Sequence, residues 1–511
     1  PEAPVNARAA NSGRADITAD ASAKTTAGLK IKYDLSKYPL SYSTKIDCAK
    51  KSNIIPAMTD PAEFHVLFGD ESVLSSTTRG AASGDAEPVE TRPPELDLPI
   101  YANLTKEDIF NTFDYMFYHI RIGIYVQIKN GRLEYFIPFH NQEYTNHWPA
   151  STLTFSDGKG GTTDMDQYYK MKKKQKYKNT DVERNTEKWS ANNCLLGTWS
   201  DNEIGNMGWF EVREMIHEAC QAHAIGDCSF FVNRRDHPVL TPNGMEPYFH
   251  IYDGLDTPLP DRHRHAKFAP ILGFSKNDSF ADLLIPNYAD WRNITKRLYP
   301  TNCASMEEDD ITLDWDAKKS VAVFRGSATG CGNTPEDNQR IQLAQMAKQD
   351  EAVHGNASVL DAGLVGMSAR DKKVQGKPVD FFRHKNYDLS KKSFMSMNTQ
   401  STYKYIIHID GHVSAYRLGK ELSLGSAILK VDSAFDYKLW FDQFMAPNEH
   451  YVPIHKNLDN LISTIEESNE DDSTCRAVAA NALALHGKIM SREFVSKYWA
   501  DTMNAISANF V

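Results

Sequence analysis

The stretch Tyr403-Lys404-Tyr405-Ile406-Ile407-His408-Ile409-Asp410-Gly411-His412-Val413-Ser414-Ala415-Tyr416-Arg417 decides the fold. Its first half reads as a buried strand, and Asp410-Gly411 breaks that strand with a sharp turn. The pattern predicts a helix opening near Val413-Ser414, presenting unpaired N–H groups and the positive end of its dipole above the sheet. Arg417 would lie one turn in, its planar fork suited to a phosphate. Leu424-Gly425-Ser426 ends the helix, and Ala427 to Val431 reads as the next strand. The unit is β-α-β with its polar loop at the carboxyl end of a strand, where open α/β sheets bind nucleotides.

Two more apolar strands end in polar loops: Cys228 to Val232 runs into Asn233-Arg234-Arg235-Asp236-His237-Pro238, and Val321 to Phe324 into Arg325-Gly326-Ser327-Ala328-Thr329-Gly330-Cys331-Gly332. The glycines allow close approach to a phosphate or sugar, yet their spacing fits neither a P-loop nor a G-x-G-x-x-G fingerprint. Taken singly, each loop is more often a structural turn than a site. Together they put Asp, Arg, Ser and His where α/β sheets converge on ligands.

Around these loops the chain punctuates itself. Asn130-Gly131 between alternating apolar residues from Tyr118 to Phe139 predicts a β-hairpin. Val212, Met215, Ile216, Ala219 and Cys220 recur at helical spacing, and Ala224 to Asp227 ends that helix. Thr334-Pro335-Glu336-Asp337 predicts a helix start, and Phe494, Val495, Tyr498, Trp499 and Thr502 line one face of a terminal helix. The Lys-rich run from Lys170 to Lys178 reads as a solvated loop or as a patch for an acidic acceptor or membrane surface. The acidic run Glu307 to Asp310 marks a junction between domains near residues 300–318.

At 511 residues the chain exceeds one core. Hydrophobic residues make up 41%, so most of it can fold. A net charge of −10 argues against nucleic acid as a partner. Residues 1 to about 30 carry almost no large apolar side chains and read as a mobile tail unless a partner protein holds it. Ser, Thr, Gly and Pro dominate from Leu74 to Leu98, so the first patterned domain is expected to begin near Pro99. No apolar run reaches a membrane span, and the first residue is Pro, which suggests a chain trimmed of any targeting segment. The seven cysteines lack any C-x-x-C spacing, which excludes a zinc ribbon.

Other chemistries fail on spacing. His217 and His223 do not share a helix face as zinc-protease ligands must. His263 and His265 flank Arg264 beside Arg262, poor company for a cation. No Gly-x-Ser-x-Gly elbow occurs, and Cys331 has no evident base beside it.

The sequence resembles glycosyltransferase family 90, which includes the protein O-glucosyltransferases, and is most similar to its algal, protist and large-DNA-virus branch. The resemblance rests on Asn193-Cys194-Leu195, Phe230 to Pro238, Glu246-Pro247-Tyr248, Ala269 to Leu272, Phe280-Ala281-Asp282, Asp290-Trp291, Phe324 to Gly332, Asn338-Gln339-Arg340, Tyr403 to Arg417, Leu424-Gly425-Ser426 and His450 to Pro453. These cover roughly residues 100–500 in order.

The resemblance implies the α/β GT-B architecture, two Rossmann-like domains facing a cleft. Residues 1–98 would be an N-terminal extension, 99–305 the acceptor-side domain with the base, 306–485 the UDP-sugar domain, and 486–511 a helix crossing back. It implies inverting transfer of glucose or xylose from a UDP-sugar to a protein or glycan hydroxyl. No metal or other cofactor would be required, and the setting would be the ER or Golgi lumen. Asp236 is then the expected base; alternatively it caps a helix or pairs with Arg234 or Arg235. Gly326, Ser327, Arg340, and the loop His412, Val413, Ser414, Ala415, Tyr416 and Arg417 correspond to donor-binding positions, with Asp290 and Trp291 near the sugar. Glu421 reads equally as a ribose ligand or a surface glutamate. His408 stands where the family pattern leads one to expect Asn, which bears on sugar choice.

The residue types suit that chemistry. Inverting transfer needs a carboxylate to take the acceptor proton, and a departing diphosphate without a metal needs an Arg and aligned N–H groups. The competing reading is a catalytically inactive subunit of the same fold serving a larger assembly, with the N-terminal extension as its hint.

Overall fold

A computed structural model describes residues 90–141 apart from 95, 209–247, 257–295, 313–367 and 382–511, with a few short pieces between them. The tail, the Lys-rich run and the acidic run lie outside the described residues.

The first half opens with α1 (Lys106–Asp114), capped by a Thr105/Asp108 box and continued by a π-helical turn, Tyr115–Ile120. The expected hairpin follows as β1 (Ile122–Lys129) and β2 (Arg132–Asn141). Asn130 and Gly131 between them both have positive φ, 52° and 70°, the backbone that a twisted two-residue turn demands. Tyr118 is not part of it, because Arg121 at φ 71° ends the π turn first.

The small pair β3 (Phe155–Ser156) and β4 (Thr162–Thr163) stands apart from strand β5 (Cys194–Leu196), which joins the edge of the first sheet. Then come α2 (Trp209–Ala222), β6 (Cys228–Val232), β7 (Ile271–Gly273), β8 (Leu283–Leu284) and α3 (Tyr288–Thr295). The sheet order is β5-β2-β1-β6-β7-β8. Only β6, β7 and β8 run parallel to one another; β1 and β2 are antiparallel because their two-residue turn permits nothing else, and β2–β5 and β1–β6 are antiparallel as well. Every residue of β6 is buried, as its central place requires.

The second half is a parallel sheet of β9 (Lys319–Ser327), β10 (Leu360–Gly366), β11 (Tyr403–His408), β12 (Ala427–Val431) and β13 (Val452–Ile454), in the order β10-β9-β11-β12-β13. Its helices are α4 (Gln339–His354), α5 (Met397–Gln400), α6 (Leu418–Glu421), α7 (Leu461–Glu470) and α8 (Ser473–Ile489). The cap of α4 is Asn338, whose side chain accepts from the Arg340 and Ile341 N–H groups, and not Thr334. Thr334 and Asp337 close a separate turn on each other, so the helix cannot begin there.

The last helix, α9 (Arg492–Ala508), returns to the first half. Tyr498 donates to the Leu284 carbonyl at 2.9 Å, and Asn504 spans the end of α2 by accepting from Gly226 N and donating to Ala224 O. Gly226 is required there, since a Cβ would meet Ser507 Oγ at 2.3 Å. Trp499 and Phe494 of α9 join one core with β1, β6 and, from the second half, Leu418, Trp440 and Phe441. A separate core, including Phe324, Leu343, Tyr405, Leu429 and Ile465, fills the second sheet. The chain is thus α/β with two large sheets, as expected, and Tyr416 of the second half joins the loops after β6 and β7 around one hollow. Among the described residues no helix is long and apolar enough to cross a membrane.

Candidate functional site

The carboxyl ends of β6, β7 and β8 meet the loop after β11 at a hollow of ≈ 440 Å³ lined by Asn233 to Asp236, Phe274, Tyr288 and Tyr416, with Ile124, Val212 and Val232 beneath. Parallel strands put their following loops at one end, so three separate loops converge without any being long.

Asn233 builds the first loop. It is 2% exposed, its Oδ1 accepts from Arg235 N at 2.8 Å, and its Nδ2 donates to His237 O at 2.7 Å. Arg235 is anchored by two hydrogen bonds to the Ile120 carbonyl, the end of the π turn. Just beyond, Asp282 accepts from the N–H groups of Val239 and Leu240. Burial pushes its pKa up to about 7 despite those donors. Asp236 is left exposed at the tip of a loop tied down on both sides. No helix starts there, so it is not a helix cap.

Phe274, Tyr288 and Tyr416 stand mutually edge to face, each pair 5.9 Å apart between centroids. Burial, and then the carboxylates of Asp236 and Asp290, drive the Tyr416 hydroxyl well above its ordinary pKa. This aromatic wall is a feature that sequence reasoning missed for Phe274 and Tyr288, which carry no motif of their own.

The loop 411–417 is not a helix start. Asp410 Oδ1 accepts from Ala415 N at 2.9 Å and Gly411 N donates to Val413 O, folding the segment into turns, so that α6 begins only at Leu418. Arg417 is the residue before the helix instead of one turn inside it, and four residues of helix make no dipole site. Val413 is buried, and Ser414 Oγ lies 2.8 Å from Ser275 Oγ after β7, joining the two halves beside the hollow. The rings of His412 and His237 lie 6.4 Å apart across the same seam.

The arginines are held from within. Arg340, 8% exposed, donates to the carbonyls of Asp410, Ile409 and Ser327 and to Thr329 Oγ1, clamping the ends of β9 and β11 together. Burial, then the charge of Arg417, lowers its pKa. Gly326 leaves room for this, since a Cβ would meet the Phe324 ring at 2.7 Å and crowd Arg340. Arg417 lies over the Phe324 ring, donates to the Arg325 carbonyl at 2.6 Å and faces Glu421 at 3.1 Å. Its Nη2 is buried without an acceptor among the described residues. Ser327 sits at the carboxyl end of β9, and Arg340 also borders a second hollow of ≈ 320 Å³ with Gly330, Cys331, Gly411 and Tyr437.

Of the expected residues, Asp236 and Tyr416 line the first hollow and Arg340 the second, Gly326, Ser327, His412 to Ala415 and Arg417 line neither, and Glu421, Asp290 and Trp291 are buried in packing. Glu421 is 1% exposed and accepts from His408 Nδ1 at 2.6 Å, so it is neither a surface glutamate nor open to a ribose. Asp290, wholly buried, accepts from Trp440 Nε1 at 2.9 Å and Asn287 Nδ2 at 2.7 Å. Trp291 is inside too, donating to Glu214. Both serve the packing between α3 and its neighbours, where the resemblance had them near the sugar. His263 pairs with Asp114, which Arg262 also grips, and among the described residues no group of three or more His, Cys, Asp or Glu gathers as a metal ion would need.

Residues 245–509, just over half of the 511, match the model of Glycosyl transferase family 90. "Uncharacterized protein 035R" of Invertebrate iridescent virus 3 is 32% identical over 420 residues, 80% of this chain and 37% of that protein. Protein O-glucosyltransferase 3 of Homo sapiens is 27% identical over 263 residues, 51% of this chain and 46% of its own length. This chain thus spans less than half the length of these relatives. A crystal structure of Anabaena Alr3699/HepE with UDP-glucose overlaps 35% of this chain and 48% of that chain at 13% identity and TM-score 0.24, too little to bear on the fold.

Proposed function

The chain belongs to glycosyl transferase family 90, and on that premise we propose that it transfers a sugar, glucose or xylose, from a UDP-sugar to a hydroxyl of a protein or glycan, with inversion and without a metal. The observation that carries this reading is Asp236, exposed at the tip of an anchored loop on the same hollow as Tyr416 of the β11 loop. Residues 99–305 then supply the base and acceptor side, 306–485 the donor side, and the helix within 486–511 the return. A secretory-pathway lumen is the compartment that goes with this reading.

In this reaction the acceptor hydroxyl lies against Asp236, which takes its proton as the oxygen attacks the anomeric carbon from the face opposite UDP. The bond from that carbon to the UDP oxygen breaks, and negative charge grows on the diphosphate. Arg417, whose Nη2 has no acceptor among the described residues, is the cation assigned to that charge; loss of one such preorganised donor costs about 3–4 kcal/mol of barrier. Arg340 supports this from behind by fixing both strand ends, and Ser327 and His412 to Ala415 are assigned to the donor's surroundings. The ring edges of Tyr288 and Tyr416 give a sugar face an apolar surface, and their hydroxyls give it polar partners.

Calorimetric titration with UDP in EDTA, beside release of UDP from UDP-glucose and UDP-xylose, tests the proposal. Wild type and Asp236→Asn are expected to bind UDP alike, with turnover in the variant down by about 10²- to 10⁴-fold. Arg417→Ala is expected to lose UDP binding. A folded wild type that does not bind UDP refutes the transferase reading and leaves the inactive-subunit reading.

A further inference from the structure

His408 lies under the donor loop, 2% exposed, between two carboxylates that hold opposite ends of that loop. Its Nδ1 is 2.6 Å from Glu421 Oε2, and since a carboxylate only accepts, Nδ1 donates. Its Nε2 faces Asp410 Oδ1 at 3.7 Å. Glu421 faces the Arg417 guanidinium at 3.1 Å, while Asp410 Oδ1 takes the Ala415 N–H. The geometry points to His408 as a positioning residue, which, as an imidazolium bridging Asp410 and Glu421, sets the loop and Arg417 for the UDP diphosphate. The inference rests on the donor reading above and adds to it a residue that never touches the donor.

The charges around the imidazole favour its charged form. Glu421 comes from α6 and Asp410 from the end of β11; Arg417 and Arg340 face those carboxylates from the other side. Lys430, the β12 neighbour of His408 in register, pairs with Asp442 and also feels Asp410. Two carboxylates and two arginines cancel, so an imidazolium leaves the cluster one positive charge in excess, facing an anionic ligand. Burial alone would lower the pKa of His408, but the attraction of Glu421 and Asp410 outweighs it and the net direction is upward. The sign follows: the bridged arrangement is complete below the ordinary imidazole value and is lost as pH rises through the raised one. A neutral imidazole with Nδ1–H keeps Glu421 and lets Asp410 go.

The test is the dissociation constant of UDP by calorimetry from about pH 6 to about pH 9 for wild type, His408→Asn and Glu421→Gln, each checked for a cooperative thermal transition. The expected result is that wild-type affinity falls as pH rises, and that His408→Asn binds about tenfold more weakly at the acidic end with the pH step gone. Glu421→Gln keeps an acceptor for Nδ1 without its charge and is expected to move the step toward lower pH. Should His408→Asn fail to fold, the wild-type profile and Glu421→Gln decide. A wild type that binds UDP with no fall on the alkaline side, or an Asn variant that keeps both affinity and step, overturns the positioning role alone. A wild type that binds no UDP at any pH overturns the donor reading and this inference together.

Discussion

Asp290 shows how a motif residue can serve the seam between the halves. Its Oδ2 accepts from Trp440 of the second half and Asn287 of the first, while its Oδ1 has no donor among the described residues. Burial pushes its pKa up to about 7, and the bond from Trp440 offsets this only in part. From the ordinary carboxylate range up to about pH 7 the unfolded chain has shed a proton the native chain keeps, so stability falls as pH rises across that window. Asp282, also raised to about 7 by burial, acts in the same direction. Asp290→Asn is therefore expected to flatten the dependence of melting temperature on pH between about 4 and 7, and an unchanged slope counts against the assignment. Individual residues were unevenly legible in the sequence. Asp236 and Tyr416 followed from strand-end position. Glu421 did not, because its partner His408 is thirteen positions away and meets it only once α6 folds back on β11.

Elements were legible wherever one physical signal dominated. The Asn130-Gly131 turn takes the positive φ its residues favour, and the apolar runs of β6, β9 and β11 and the apolar stripe of α9 are buried as their patterns predict. The predicted helix at Val413 failed because the segment closes into turns, Asp410 Oδ1 accepting from Ala415 N and Gly411 N donating to Val413 O, before the helix starts at Leu418. The same competition moved the start of α4 from Thr334 to Asn338. The short α6 carries a further constraint at Gly419, where a Cβ would lie 2.2 Å from Asp290 Oδ1 and 3.1 Å from Met490 Cε. Helix propensity favours Ala over Gly by about 1 kcal/mol, whereas forcing a methyl into a packed seam costs about 1–3 kcal/mol. Gly419→Ala is expected to lower stability by denaturant titration despite the better helix former; a gain would mean that the seam is looser than the structure has it.

At the scale of the molecule, the halves are joined by more than a linker. Ser275 meets Ser414, the backbones of Lys276 and Lys438 pair as a bridge, Asn277 donates to the Phe435 carbonyl, and α9 seats Phe494, Tyr498 and Trp499 in the core of the first half. Truncating a core Trp typically costs about 3–5 kcal/mol, so losing the whole helix removes several such contributions at once. Residues 90–295 produced alone are expected to be insoluble or protease-sensitive. Supplying 313–511 as a second chain should restore a compact species, read by size-exclusion chromatography. A stable, monomeric 90–295 would show that α9 is dispensable. None of this coupling was legible beyond the apolar stripe of α9, since a stripe records that a helix is buried and not what buries it.

The return of α9 also bears on how the chain is made. Synthesis is vectorial, and domains generally fold as they emerge, the amino-terminal one first. Here the first sheet leaves the ribosome just over two hundred residues before the helix that closes it, since β8 ends at Leu284 and α9 begins at Arg492. The half that appears first is thus completed last, and the second half, with a core of its own, is the piece positioned to fold during translation and carry the closing helix back.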